Sequence, residues 1–227
     1  MENDFIIKLL PNLIEYTDEF VISIKQTIVM LSISGGFSFV LGIALGTTLV
    51  VTRKGNILEN TFIHKSIDNV INLFRSIPFV ILIAALLPVT RIIVGTGIGV
   101  KGAIFPLIVG CTPFFIRQVD LALSSVDKGV IEAAASMGVS PLGIMVRVYW
   151  RESIPALARS TTITAISLLG LTAMGGAVGG GGLGAFVIRY GLNRYMNDII
   201  YVSVFIILIF VSIIQFIGNL IVRKTTH

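Results

Sequence analysis

Five stretches of the chain, at about 20 to 51, 69 to 90, 100 to 123, 156 to 177 and 198 to 222, are almost continuously apolar. Each is long enough to cross a hydrocarbon core about 30 Å thick as a helix, the form in which a spanning segment satisfies its own backbone polar groups. Polar positions gather between them at 52 to 68 and 124 to 155, and again after 222. The pattern predicts an all-α integral membrane protein with five transmembrane helices. Ahead of the first span, Phe5, Ile6, Leu9, Leu10 and Leu13 recur at helical spacing on either side of Pro11, which predicts a short interfacial segment. The expected organisation is an interfacial segment over 1–19, a membrane domain over 20–222 with its main polar loop at 124–155, and a tail over 223–227.

Within that loop, "DKGVIEAAASMGVSPLGIMVRVYWRES" (127–153) breaks the apolar pattern. Asp127 is suited to cap a helix starting at Lys128, and Glu132 through Met137 favour its continuation. Gly138 offers a left-handed C-terminal turn, and Ser140-Pro141 pairs an N-cap with a residue suited to the first helical position. A second helix is expected from there to about Trp150, giving a helix-turn-helix. Ala133, Ala134, Ala135 and Gly138 bury little surface of their own and form a floor on which a partner's side chains can seat, with Glu132 as a lone acid beside them. A loop merely resting on headgroups would carry larger apolar residues and a more basic face.

The first span repeats small residues every fourth position, at Ser34, Ser38, Gly42 and Gly46. This aligns them on one helix face, a packing surface for another span of the chain or for a second copy. Charges within spans are costly and need a location. Arg75, Arg117, Asp120 and Arg159 all lie near span ends, where snorkelling reaches an interface, and Arg117 and Asp120 share a face; a structural role is expected for them.

Composition agrees with the pattern: 55% of residues are hydrophobic, 13% are charged and the mean hydropathy is +0.95. The basic pI near 9.6 follows from Lys and Arg in loops and does not require nucleic acid. Placing 52–68, 124–155 and the tail in the cytoplasm puts Arg53, Lys54, Lys65, Lys128, Arg147, Arg151, Arg223 and Lys224 inside. Lys8, Arg91, Lys101, Arg189 and Arg194 then lie outside with the acidic N-terminus. Residues 1–19 carry five acids against Lys8, unlike the basic start of a cleaved signal, so they are expected to remain in the mature protein. Cys111 is the only cysteine, which excludes a disulfide within the chain.

Glu132-Ala133-Ala134, three residues, Gly138, nine residues and then Val148 resemble the E-A-A signature of ABC importer permeases, the cytoplasmic coupling helix that docks on an ATP-hydrolysing subunit. "RSIPFVILIAALLPVTRIIVGTGIG" (75–99), "PFFIRQVDLALSSVDKGVIEAAASMG" (113–138) and "GGAVGGGGLGAFVIRYG" (175–191) are similar to the D,L-methionine permeases of the methionine uptake transporter family. The chain departs where the family closes the motif with Leu-Pro: it has Trp150-Arg151, and the nearest proline is Pro155. The resemblance implies a type I ABC importer permease fold in a bacterial plasma membrane. It also implies a homodimer, two ABC ATPase subunits that bind ATP and Mg, and an external methionine-binding protein or lipoprotein. It implies that this subunit is not an enzyme and holds no cofactor of its own.

"GGAVGGGGLG" (175–184) has seven glycines in ten residues, and Gly179, Gly181 and Gly184 satisfy G-x-G-x-x-G. The match lacks the strand-turn-helix setting of a dinucleotide site and the Gly-Lys-Ser/Thr of a P-loop. The glycines either connect two spans flexibly or let backbone line a path. Ser167, Leu168, Thr172 and Met174, with Gly179 and Gly182, are the candidate translocation path. His64 and His227 have no partner at metal-ligand spacing, so no metal site is expected. Competing readings are a permease for another amino acid or small zwitterion, and a channel or scaffold without ATP coupling.

Overall fold

The computed structural model describes residues 10–226, which are helical and contain no strand. Phe5, Ile6 and Leu9 of the expected interfacial segment lie outside the described residues. Its described part forms α1 (Pro11–Glu15), where Pro11 takes the first position that proline tolerates. The carboxylate of Asp198 pins α1 by accepting from the backbone N–H groups of Asn12 and Leu13 at 3.0 and 3.1 Å and from the Asn12 amide at 2.9 Å.

Then follow α2 (Thr17–Val51), α3 (Thr61–Ser76), α4 (Phe79–Val94), α5 (Gly99–Ser124) and α6 (Lys128–Ser136). The short α7 (Pro141–Ile144) continues in wider π-type turns over Met145–Trp150. α8 (Ile154–Gly175), α9 (Gly182–Phe186), further π-type turns over Val187–Leu192 and α10 (Asn197–Thr225) complete the chain. Four helices, α2, α5, α8 with its extension to Gly180, and α10, are each long and apolar enough to cross a membrane.

The span expected over 69–90 is not one helix. α3 and α4 meet at a bend of 108° and count as a fifth span only when taken together. The break lies at Ile77-Pro78: proline pushes the residue before it out of the helical region, and Ile77 has φ −90° and ψ 123°. α3 is the more polar, amphipathic member of the pair, whereas α4 is nearly all apolar.

The described residues fall into two compact units. One contains the chain up to Gly35, Pro78–Ile108 and Ile166–Ile213. Its core holds Phe20, Leu183, Phe186, Tyr190 and Ile199, with Phe186 and Tyr190 ring centroids 5.0 Å apart. The Arg194 guanidinium lies over the Tyr16 and Tyr190 rings and donates to the Tyr16 hydroxyl at 3.0 Å. In this unit Ser34 is buried and donates to the Ile104 carbonyl at 3.4 Å.

The other unit contains Gly36–Ile77, Val109–Ala165 and the chain from Ile214 on. Its core joins Val50 and Val51 of α2, Phe115, Val119 and Leu123 of α5, and Ala134, Ile144 and Tyr149 of the polar loop. Here the small-residue face lies directly against α5. A Cβ on Gly42 would stand 2.2 Å from the Phe115 ring and one on Gly46 2.7 Å from Val119, while Thr112 donates to the buried Ser38 hydroxyl at 3.2 Å. Lipid tails are as apolar as leucine, so this close packing holds the helices together rather than exclusion of water.

Candidate functional site

The helix-turn-helix forms from local signals. Asp127 Oδ1 accepts from Gly129 N–H at 2.6 Å and starts α6, which at nine residues is too short to hold on propensity alone. At its end Gly138 takes φ +77°, and the N–H groups of Met137, Gly138 and Val139 return to the carbonyls of Ala133, Ala135 and Ala134. Ser140 then caps α7 by accepting from Gly143 N–H at 3.2 Å, and Pro141 occupies the first helical position. With no proline at 151, the helical path continues beyond Trp150: Arg151 has φ −68° and ψ −46°, and Ser153 N–H donates to the Tyr149 carbonyl.

α6 presents three faces. Ile131 and Ala134 point into the core, with Ala134 only 5% exposed. Lys128, Glu132 and Ala135 line a cleft of about 460 Å³ whose opposite wall carries Arg53, Lys54 and Asn56. Val130, Ala133 and Met137, at helical spacing, are exposed, Met137 at 76%; Leu142 beyond the Gly138 turn is 65% exposed.

Of the expected docking residues, Glu132, Ala133, Ala135 and Gly138 are therefore accessible. Ala134 is a correction: it is three residues from Ile131, so it shares the inward face and supports the loop from beneath. Sequence reasoning did not single out Val130, Met137 and Leu142, apolar side chains that are exposed on this loop. Their signal is positional, since Val130 lies three before and Met137 four after Ala133, the spacing of one helix face.

The loop is fastened to its unit at its far end. Tyr149 OH donates to Asn56 Oδ1 at 2.8 Å, Trp150 Nε1–H donates to Thr47 Oγ1 at 3.1 Å, and Ser153 Oγ donates to the Tyr149 carbonyl. Trp150, the departure from the family pattern, thus ties α7 to α2.

Beside the cleft, Asp120 accepts from Arg53 at 2.6 Å and from Arg117 at 3.4 Å, while Arg117 also donates to Asp68 at 2.6 Å and Asn72 at 3.0 Å. The Asp120 side chain is 7% exposed, so two guanidinium partners offset the cost of burying its charge. The expected Arg117–Asp120 pair is only part of this network, because Arg53 and Asp68 come from other elements. His64 Nδ1–H donates to the Leu49 carbonyl at 2.9 Å, and no group of three potential metal ligands occurs among the described residues.

The candidate path residues share no common surface. Leu168 and Thr172 are each 1% exposed, and Thr172 donates to the Leu169 carbonyl in its own helix; Met174 is 42% exposed. The physical reason is that Leu168 and Thr172, four apart, share one buried face of α8, while Ser167 and Met174, seven apart, lie on another. Gly179 and Gly182 belong instead to a break in helical geometry, with φ +92° and +75°. There Gly182 N–H donates to Gln26 Oε1 at 2.8 Å and Leu183 N–H to Thr27 Oγ1 at 2.9 Å, so the segment is held rather than loose.

Residues 38–226 match the family described as "Binding-protein-dependent transport system inner membrane component". The chain is 45% identical over 202 residues to the "Probable D-methionine transport system permease protein MetI" of Vibrio cholerae, covering 89% of this chain and 90% of the relative. It is 47% identical over 173 residues to the "Methionine import system permease protein MetP" of Bacillus subtilis, covering 76% and 78%. A chain from a solved structure of inward-facing conformations of the MetNI methionine ABC transporter superposes with a TM-score of 0.91 at 42% identity, covering 94% of this chain and 99% of that one.

Proposed function

The chain belongs to the family of binding-protein-dependent transport system inner membrane components, and from that premise we propose that it is the membrane-spanning subunit of an ATP-driven importer of methionine. In this reading it pairs with a second copy of itself and with two ATPase subunits that hold ATP and Mg. An external binding protein delivers the amino acid.

One observation carries the coupling role: the helix-turn-helix leaves Glu132, Ala133, Met137, Gly138 and Leu142 exposed while Ala134, Tyr149 and Trp150 anchor it. An apolar knob of Met137 and Leu142 on either side of the Gly138 turn is costly to leave in water and suits a groove on a partner. Closure of the ATPase dimer would pull on the knob. Because the anchors bond to Thr47 and Asn56, the pull reaches the end of α2 and the loop that follows it rather than bending α6 alone. The free energy comes from the partner, and this subunit converts displacement into access to a path. The eight-to-five bias of loop Lys and Arg supports placing this loop in the cytoplasm.

The test is uptake of labelled methionine into proteoliposomes holding the permease, its ATPase and the binding protein. Uptake should require ATP. Gly138→Arg should abolish it, and Met137→Glu, a change at an exposed position that spares the core, should lower it at least about tenfold, the effect of losing about 1.4 kcal/mol of coupling. Undiminished uptake by both variants would refute the docking role, and ATP-driven uptake of a different amino acid in place of methionine would refute the cargo.

A further inference from the structure

We propose that a cleft between the start of α2 and the glycine-rich segment is an entry site for a zwitterionic amino acid, with Glu19 receiving the α-ammonium group and Arg189 the α-carboxylate. The proposal rests on the reading of the chain as an amino-acid permease and names the place where such cargo first meets it.

The cleft lies wholly within the first unit and has a volume of about 360 Å³. That falls in the range of about 300–1,000 Å³ typical of small-molecule sites. Charges of opposite sign line it, Glu19 from α2 and Arg189 from the turns after α9. Among the described residues neither is in an ion pair with another side chain. Ile22, Ile98 and Phe186 line the same space and offer an apolar seat for a side chain. A ligand with one cation, one anion and an apolar tail matches this set, whereas a sugar or a simple ion would leave part of it unused.

The glycine backbone here is a fixed wall. Gly181 and Gly182 have φ +80° and +75°, and a Cβ on Gly181 would stand 2.7 Å from Gln26 Oε1. Gln26 lines the cleft, and its oxygen already accepts from Gly182, so its N–H donors are what it offers a ligand carboxylate. Both Glu19 and Arg189 are exposed, so each ligand contact is made in high dielectric and is weak. Weak capture suits a point of passage from which the amino acid must leave.

The experiment is saturation-transfer difference NMR of methionine added to the complete permease–ATPase complex in nanodiscs, without binding protein. Wild type should transfer saturation to the methionine methyl group. Glu19→Gln with Arg189→Gln should reduce that signal at least about fivefold, a loss within reach of two exposed charge contacts. Lys25→Gln, on the same helix but outside the cleft, should keep it.

Methionine methyl ester, which carries only the cation, should compete poorly in wild type and as well as methionine itself in Arg189→Glu. That gain cannot come from a damaged fold. An unchanged signal in the double variant, or no gain for the ester in Arg189→Glu, overturns the site even if methionine uptake by wild type is intact. If wild type instead takes up another neutral amino acid, and that ligand's signal depends on Glu19 and Arg189, the site stands while methionine falls as cargo.

Discussion

Gly138 and Gly182 have nearly the same backbone angle, φ +77° and +75°, but their surroundings differ. A Cβ on Gly138 meets nothing within 4 Å, whereas one on Gly182 would stand 2.7 Å from Met30 Cε and 2.8 Å from Thr27 Oγ1. Gly138→Ala should therefore cost only the left-handed strain of an L-residue, about 1 kcal/mol. Gly182→Ala adds displacement of Thr27 and loss of its bond from Leu183, for roughly 2–3 kcal/mol in total. Thermal unfolding of the detergent-solubilised protein should rank Gly182→Ala below Gly138→Ala; the reverse order would remove the close approach as the reason for glycine at 182. The Gly138 turn is legible in the sequence because helix formers precede it and Ser-Pro follows it. The Gly182 constraint is not, since its partner Gln26 lies 156 residues away.

The decisive element is α6, whose successive alanines face different ways. Ala133 is exposed and Ala134 is 5% exposed in the core, so equal chemistry at adjacent positions should give unequal results. Ala134→Glu buries a carboxylate without a partner and should lower the yield of folded protein, a penalty of several kcal/mol. Ala133→Glu should leave folding intact, by size-exclusion profile and melting temperature, and should weaken co-purification of the ATPase subunit. Loss of fold in Ala133→Glu with a tolerant Ala134 would invert the assigned faces. Caps and helix limits of α6 follow from Asp127, Gly138 and Ser140, but which alanine points inward depends on where α2 and α5 lie. At the α3–α4 break the deciding signal, Pro78, stands in the sequence; an apolar tally over 69–90 averages across it and predicts a straight span.

For the whole molecule, the inside–outside assignment leads to a labelling experiment. Cys111 is 1% exposed, so the native thiol gives little background and introduced cysteines can report topology. With a membrane-impermeant maleimide, Asn193→Cys should label in intact cells and Lys54→Cys only after permeabilisation; the opposite result would reverse the orientation. The sequence by itself determined the helical class, the apolar segments, the capped turn at Gly138 and the family resemblance. Each depends on residues near one another along the chain, and a long apolar helix is one of the two forms, with the closed β-barrel, in which a spanning backbone satisfies its polar groups. Only the tertiary structure decided that Asp120 meets Arg53 across 67 residues, that Arg117 meets Asp68 across 49 and that Gln26 holds the glycine-rich segment. Those pairings depend on which helix faces pack together, and helical periodicity marks a face without naming its neighbour.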